Sequence, residues 1–294
     1  MTEQVLDAFV TEVIAASDYQ EMDRIYLKNR VMSRIGEEGL DAPAHNSDVI
    51  ALKEQLVDIA VANSKIQDSM AAKDSLGSEL MDWITPSPSQ VNHHFWETYH
   101  QSKENAIADF YALSKRNDYI KVEAIAQNIA FEAETPYGSL EITINLSKPE
   151  KDPKAIAAAA HSTGNKYPQC ALCLENEGYV GGYGKNVRSN LRIIRIMIGG
   201  RPWGFQYSPY AYFNEHCIFL DQKHIPMIIN QQTLINLVDI EKQLPEYFVG
   251  SNADLPIVGG SMLAHEHYQG GRHVFPMMKA KIKKVINFDQ YPEV

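Results

Sequence analysis

The pattern of apolar residues changes partway along this chain of 294 residues, and that change constrains the fold more than any other feature. Up to about residue 118, apolar side chains recur at helical spacing, as at Val5, Phe9 and Val13. Beyond it, short apolar runs are separated by turn residues, which is typical of strands. We therefore predict an α+β fold, with a helical N-terminal region over 1–118 followed by an antiparallel-sheet domain over 119–294.

The second region begins with a predicted hairpin, in which Ile129–Glu134 and Leu140–Ile144 alternate around a Pro/Gly turn. Further strands are predicted at Leu191–Ile198, Trp203–Tyr207, Tyr212–Leu220, Pro256–Met262 and Ile282–Phe288. One helix, Thr233–Leu244, interrupts them. Its inward residues are predicted to be Leu234, Leu237, Val238 and Leu244.

Composition excludes several classes of protein. A content of 45% hydrophobic and 22% charged residues is that of a globular chain. The net charge of -10 argues against a nucleic-acid partner, which needs a basic face. No apolar run approaches the ~18–20 residues that span a bilayer, and the acidic N-terminus does not resemble a signal peptide, so we predict no membrane partner and a cytoplasmic protein. Three cysteines are too few for a disulfide scaffold.

Two of these cysteines, Cys170 and Cys173, form a Cys-x-x-Cys pair. Two thiols at this spacing can bind one tetrahedral zinc ion. A redox pair, or two buried thiols without metal, would give the same spacing.

A second chemical motif is His-x-His-x-Gln, formed by His265, His267 and Gln269 after a glycine-containing apolar segment. In an extended segment these three side chains project from one face, because side chains alternate with period two. The alternative is an exposed strand face with two solvated histidines. His224 follows a predicted strand, where a turn could direct it toward the same centre.

A basic and aromatic stretch completes the set. Its cations are Lys185, Arg188, Arg192, Arg195 and Arg201, and the aromatic residues of 203–210 follow them. Arginine can bind phosphate through two hydrogen bonds, and aromatic rings can flank a base. A solvated basic strand beside core aromatic residues would show the same pattern.

Three segments, at 167–179, 205–217 and 259–271, together resemble the second (Firmicute-type) class of galactose-1-phosphate uridylyltransferases, within the histidine-triad-like superfamily. The resemblance covers essentially the whole chain and is most specific from about residue 160 onward. It implies a homodimer that moves UMP from UDP-glucose to galactose 1-phosphate. It further implies that His267 is the nucleophile and that Gln269 steadies the phosphoryl oxygens. The substrate-binding residues would be Tyr207, Ser208, Asn252, Ser261 and Arg192.

The same resemblance implies a structural zinc site, because His265 matches a zinc ligand of the better-known class. Cys170, Cys173, His224 and His265 would form a closed Cys₂His₂ site, with His216 as the substitute for His224. Members of the family are much longer, so we expect their C-terminal half to be missing from this sequence. Two other functions remain open: a histidine-triad-type hydrolase or phosphorylase, and a nucleotide-sugar-binding fragment without turnover.

Overall fold

The computed structural model describes residues 4–136, 138–146, 167–181, 187–255, 262–287 and 290. Helices dominate the first part of the chain and antiparallel strands the second, which confirms the predicted α+β class. None of the helices in the described ranges is both long and apolar enough to cross a membrane.

Four helices at the N-terminus surround one apolar core. They are α1 (Val5–Ala16), α2 (Arg24–Ile35), α3 (Val49–Ala62) and α4 (Met70–Asp82). Phe9, Val31, Leu56 and Leu80 are buried together there. Asp48 begins α3 by accepting hydrogen bonds from two backbone N–H groups of the first turn, a common helix N-cap.

Two further helices pack on the sheet and share its core. These are α5 (Pro88–Gln101) and α6 (Lys103–Arg116), and the short α7 (Val122–Ile125) follows them. Ser87 and Gln90 form a capping box at the start of α5. Phe95 and Phe110 both contact Phe205 of the sheet edge-to-face, with ring centroids 6.2 and 5.4 Å apart. The helices before residue 119 therefore contribute to both cores.

The predicted hairpin is confirmed as β1 (Ile129–Thr135) paired with β2 (Gly138–Ile144). The main sheet has five antiparallel strands, in the order β3-β4-β5-β7-β6. Their bounds are β3 (Ile194–Ile198), β4 (Arg201–Tyr207), β5 (Cys217–Asp221), β6 (Phe248–Ser251) and β7 (His267–Gly271). Strand β7 lies between β5 and β6 and is hydrogen-bonded on both sides.

Several predicted strands differ from those observed. The strand predicted at Tyr212–Leu220 begins only at Cys217, since the chain before it is a loop in which Glu215 adopts a positive φ of 56°. Residues 282–287 form no strand. The predicted strand at Pro256–Met262 lies outside the described residues except for Met262, which is not in a strand.

The predicted helix is confirmed as α8 (Gln231–Gln243), but its buried face was predicted only in part. Leu244 is buried and Leu237 partly buried as predicted, whereas Leu234 and Val238 are 63% and 53% exposed, so their inward prediction was wrong. The helix turns Asn236 inward instead, because the Asn236 amide donates a hydrogen bond to the Tyr268 hydroxyl at 3.0 Å. A last short helix, α9 (Pro276–Lys279), follows the sheet.

Candidate active site and metal centre

The central position of β7 fixes the backbone of His267 and Gln269. His267 pairs with Leu220 of β5, and Gln269 pairs with Ile218 of β5 on one side and Gly250 of β6 on the other. Because both neighbouring strands are hydrogen-bonded to β7, the two side chains leave a rigid segment of the sheet.

The imidazole of His267 is held in one tautomer. Its Nδ1–H donates a hydrogen bond to the carbonyl oxygen of His265 at 2.8 Å, which leaves the lone pair on Nε2. The side chain is buried, and burial lowers the pKa of His267 below its usual value. A neutral ring with its lone pair at Nε2 is the form of histidine that acts as a nucleophile.

Two amides and a second histidine extend from that nitrogen as a chain of hydrogen bonds. The Asn252 amide nitrogen lies 3.2 Å from His267 Nε2. The Gln269 amide donates to the Asn252 side-chain oxygen at 3.0 Å, and the Gln269 side-chain oxygen lies 3.0 Å from His216 Nε2. These four side chains, His267, Asn252, Gln269 and His216, are called the amide relay below.

The structure brings together the four residues predicted to bind metal. The Cys170 and Cys173 sulfurs are 3.5 Å apart, and their nearest histidine nitrogens, Nδ1 of His265 and Nδ1 of His224, each lie at 3.2 Å. All four donor atoms fall within 4.8 Å of one another. Zinc bonds of about 2.3 Å to sulfur and about 2.0 Å to nitrogen give tetrahedral edges of roughly 3.3–3.8 Å, so the donor set fits a tetrahedral ion.

The surroundings of the cluster also suit a metal. His265 Nε2–H donates to the backbone carbonyl of Asp221 at 2.8 Å, which directs its Nδ1 lone pair at the cysteines. Burial raises the pKa of the Cys173 thiol to about 11. A buried thiolate pair therefore needs a positive charge among the sulfurs.

Glu266, between the two motif histidines, lies in a separate network. Its carboxylate accepts a hydrogen bond from the Tyr268 hydroxyl at 2.8 Å and lies 3.3 Å from the Arg201 guanidinium. Arg201 also pairs with the buried Asp221 at 2.8 Å. Arg201 of β4 thus contacts both Asp221 of β5 and Glu266, which directly precedes β7. Glu266 takes no part in the amide relay.

Arg192 and Tyr207, predicted to bind substrate, are placed elsewhere, and both predictions are corrected here. Arg192 is 7% exposed, and its guanidinium donates to carbonyl oxygens and to the Asp82 carboxylate, which leaves no N–H for a phosphate. Tyr207 is fully buried, with its hydroxyl 2.8 Å from that of Tyr247. Both residues belong to the protein interior.

The other predicted substrate ligands fall into three cases. Asn252 is in the amide relay, next to Nε2 of His267. Ser208 donates its hydroxyl to the Tyr210 carbonyl at 3.1 Å, and its contact with substrate stays a prediction. Ser261 lies outside the described residues.

Known proteins match this chain over most or nearly all of its length. The family model of the galactose-1-phosphate uridyl transferase N-terminal domain matches residues 17–226, well over half of the chain. The chain belongs to this family. Galactose-1-phosphate uridylyltransferases from Lactobacillus helveticus and Streptococcus mutans are 64% and 57% identical to it, each over 99% of the chain. That from Streptococcus salivarius is 58% identical over 100% of the chain.

The chain corresponds to only part of the length of its relatives in the galactose-1-phosphate uridylyltransferase family. The chain spans 59% of the Lactobacillus helveticus and Streptococcus mutans proteins and 60% of the Streptococcus salivarius protein. No solved structure gives a significant match.

The sequence did not identify His216 as a member of the amide relay. His216 was considered only as a substitute zinc ligand, but His224 occupies that place and His216 contacts Gln269 instead. In the sequence, His216 lies inside the strand predicted at Tyr212–Leu220, and no strand pairing was predicted that would place it beside Gln269.

Proposed function

We propose that this chain carries the uridylyl-transfer chemistry of its family, moving UMP from UDP-glucose to galactose 1-phosphate through a uridylyl group on His267. The observation that carries the proposal is the His267 ring itself. It is neutral, fixed by the 2.8 Å hydrogen bond at Nδ1, and presents its Nε2 lone pair to the Asn252 side-chain amide.

In the first step, the Nε2 lone pair of His267 attacks the α-phosphorus of UDP-glucose. A nitrogen–phosphorus bond forms while the bond from phosphorus to the glucose 1-phosphate oxygen breaks, and the electron pair leaves with glucose 1-phosphate. The Nδ1 proton stays on the ring, where the His265 carbonyl stabilises the positive charge that the ring acquires.

In the second step, a phosphate oxygen of galactose 1-phosphate attacks the same phosphorus. The nitrogen–phosphorus bond breaks and its electron pair returns to Nε2, which regenerates neutral His267. Splitting one displacement into two through a nucleophile lowers each barrier. No net proton transfer is needed in either step.

The side-chain amides of Asn252 and Gln269 are proposed to bind the phosphoryl oxygens. The Asn252 amide nitrogen lies 3.2 Å from Nε2, and the Gln269 amide follows it in the relay, so both lie on the side of His267 where negative charge would develop on the transferred phosphoryl group. Amides donate hydrogen bonds without adding a full positive charge, so they stabilise the transition state without trapping the intermediate.

We also propose that Cys170, Cys173, His224 and His265 hold zinc, with a structural role. When bound, the ion would supply a closed four-ligand link between the Cys-x-x-Cys turn and the segment that leads into β7. Support comes from the donor distances and from the neutral, carbonyl-bonded form of His265. Metal analysis of dialysed protein tests this: close to one zinc per chain is expected, and far less than one would contradict it.

The homodimer is likewise a proposal, supported by the exposed face of the β1–β2 hairpin. Phe131 and Ile142 are directly opposite in the strand pairing, and both are exposed. Sedimentation velocity should show a dimer that Phe131→Lys weakens. A monomer at all concentrations would contradict the proposal without bearing on the chemistry of His267.

The test of uridylyl transfer is intact-protein mass spectrometry after brief exposure to UDP-glucose. We expect the mass of one added UMP, its removal by galactose 1-phosphate, and no adduct on His267→Ala. His273→Phe is the matched control, because His273 lies outside the amide relay. An adduct that water alone removes, with steady release of UMP, would instead indicate a hydrolase, and no adduct at all would refute the proposal for this chain.

A further inference from the structure

His216 lies at the end of the amide relay farthest from the nucleophile. It immediately precedes β5 and is buried, and its carbonyl accepts a hydrogen bond from the Ser208 backbone N–H at 2.8 Å. Its ring packs against Phe213 with centroids 4.7 Å apart. The backbone of His216 is therefore fixed by Ser208, and its ring is packed against Phe213.

The direction of each hydrogen bond in the relay follows from the chemistry of its groups. The Gln269 side-chain oxygen can only accept, so His216 Nε2 must carry a proton and donate to it. This turns the Gln269 amide nitrogen toward the Asn252 side-chain oxygen. The Asn252 amide nitrogen is then directed at His267 Nε2. Burial lowers the pKa of His216, which keeps its ring neutral with a single N–H.

The orientation of Gln269 matters because a side-chain amide is nearly symmetric in shape but not in charge. Rotated by a half turn, Gln269 would present its oxygen to the phosphoryl oxygens and to Asn252, which repels both. The lone pair on His267 Nε2 favours the same orientation indirectly, through Asn252, whereas the His216 N–H holds the Gln269 oxygen directly. Without the donor at His216, only the indirect constraint remains. The correct one would then be populated only part of the time, which lowers the fraction of competent sites.

We propose that His216 is a positioning residue, which sets the polarity of the Gln269 and Asn252 amides and through them the environment of the His267 nucleophile. This inference deepens the proposed function and rests on it for its effect on rate. Its structural core, that His216 orients two amides, is independent of any activity.

The decisive pair of variants is His216→Phe and His216→Gln. Phenylalanine keeps a flat ring against Phe213 and removes the donor. Glutamine loses the ring but places an amide nitrogen the same number of bonds from the backbone as the imidazole Nε2. In single-turnover uridylylation by UDP-glucose, we expect His216→Phe to lower the limiting rate about 10- to 100-fold, the range seen when an orienting partner is lost. His216→Gln should recover most of that loss.

The comparison of rate with binding separates positioning from a general structural role. The half-saturating UDP-glucose concentration should change far less than the limiting rate, because the oriented amides act mainly in the transition state. His273→Phe places a similar substitution beside Phe213 without touching the relay, and its rate should match the unmodified protein. A wild-type rate in His216→Phe overturns the proposal, as does a folded His216→Gln that is as slow as His216→Phe.

A second measurement does not depend on catalysis. Hydrogen exchange of the Gln269 side-chain amide protons, assigned by their loss in Gln269→Leu, should be slow in the unmodified protein and in His216→Gln and faster in His216→Phe. If the unmodified chain forms no uridylyl adduct, the proposed function fails while exchange still decides the role of His216. Equal exchange in all three proteins overturns it. Should His216→Phe not fold, His216→Asn replaces it, since its shorter side chain cannot reach Gln269.

Discussion

Replacing Arg192 by methionine should destabilise the protein rather than weaken substrate binding. The guanidinium uses all its donors inside the protein, with contacts of 2.6 Å to the Pro86 carbonyl, 3.0 and 2.9 Å to the Ser189 and Leu191 carbonyls, and 2.8 and 3.2 Å to Asp82 and the Thr85 carbonyl. It thereby ties the end of α4 and the following loop to the segment that enters β3.

The magnitude follows from the burial of these acceptors. Asp82 is 36% exposed, so water can replace its half of the ion pair and that contact contributes little. The carbonyl contacts contribute about 1 kcal/mol each, since a buried acceptor left without a donor loses its solvation as well. We therefore expect Arg192→Met to lower the free energy of unfolding by about 4 kcal/mol.

Urea unfolding followed by tryptophan fluorescence measures this loss, with Arg116→Met as the matched control. Arg116 is 52% exposed and makes a single ion pair at 3.7 Å, so its removal should cost less than about 0.5 kcal/mol. The reasoning is refuted if both variants unfold alike. A variant at Arg192 that keeps full stability but needs more UDP-glucose would restore the substrate-binding role.

Three other predictions concern the site and the helix beside it. Cys173→Ser should abolish stoichiometric metal binding, checked by elemental analysis, while a full complement of metal would remove Cys173 from the ligand set. Asn252→Ala should slow single-turnover uridylylation about 10²- to 10³-fold, as loss of a transition-state donor does, and an unchanged rate would contradict its role. Gly199→Ala should lower the melting temperature more than Gly200→Ala. Both glycines have positive φ, but only at Gly199 would a Cβ lie 2.1 Å from the Asn236 side-chain oxygen; equal shifts would show that backbone strain alone matters.

The Cys-x-x-Cys half of the metal cluster could be predicted from residue type and spacing, whereas the ligand roles of His224 and His265 were implied by the family resemblance. Cys170 and Cys173 are neighbours in any fold that contains them, and His265 is only two residues from His267 in the sequence. The alternating pattern also indicated that His267 would leave an extended segment, and β7 is such a segment.

Partners contributed by distant segments could not be predicted in the same way. Arg192 looks like a phosphate ligand until three of its acceptors, more than 100 residues earlier in the chain, are known. The inward face of α8 was predicted from apolar periodicity, yet the buried hydrogen bond from Asn236 to Tyr268 decides which side of the helix faces the sheet. His216 contacts Gln269 only because β5 and β7 are adjacent.

The anchoring of β7 on both edges has a stereochemical consequence for a two-step transfer. Displacement at phosphorus places the entering and departing groups at opposite ends of one line. If the imidazole keeps its place between the steps, the acceptor has to arrive from the end that the first sugar phosphate vacated. Two inversions then restore the original configuration at phosphorus. The donor and acceptor sugars would also occupy the same binding site and compete for it.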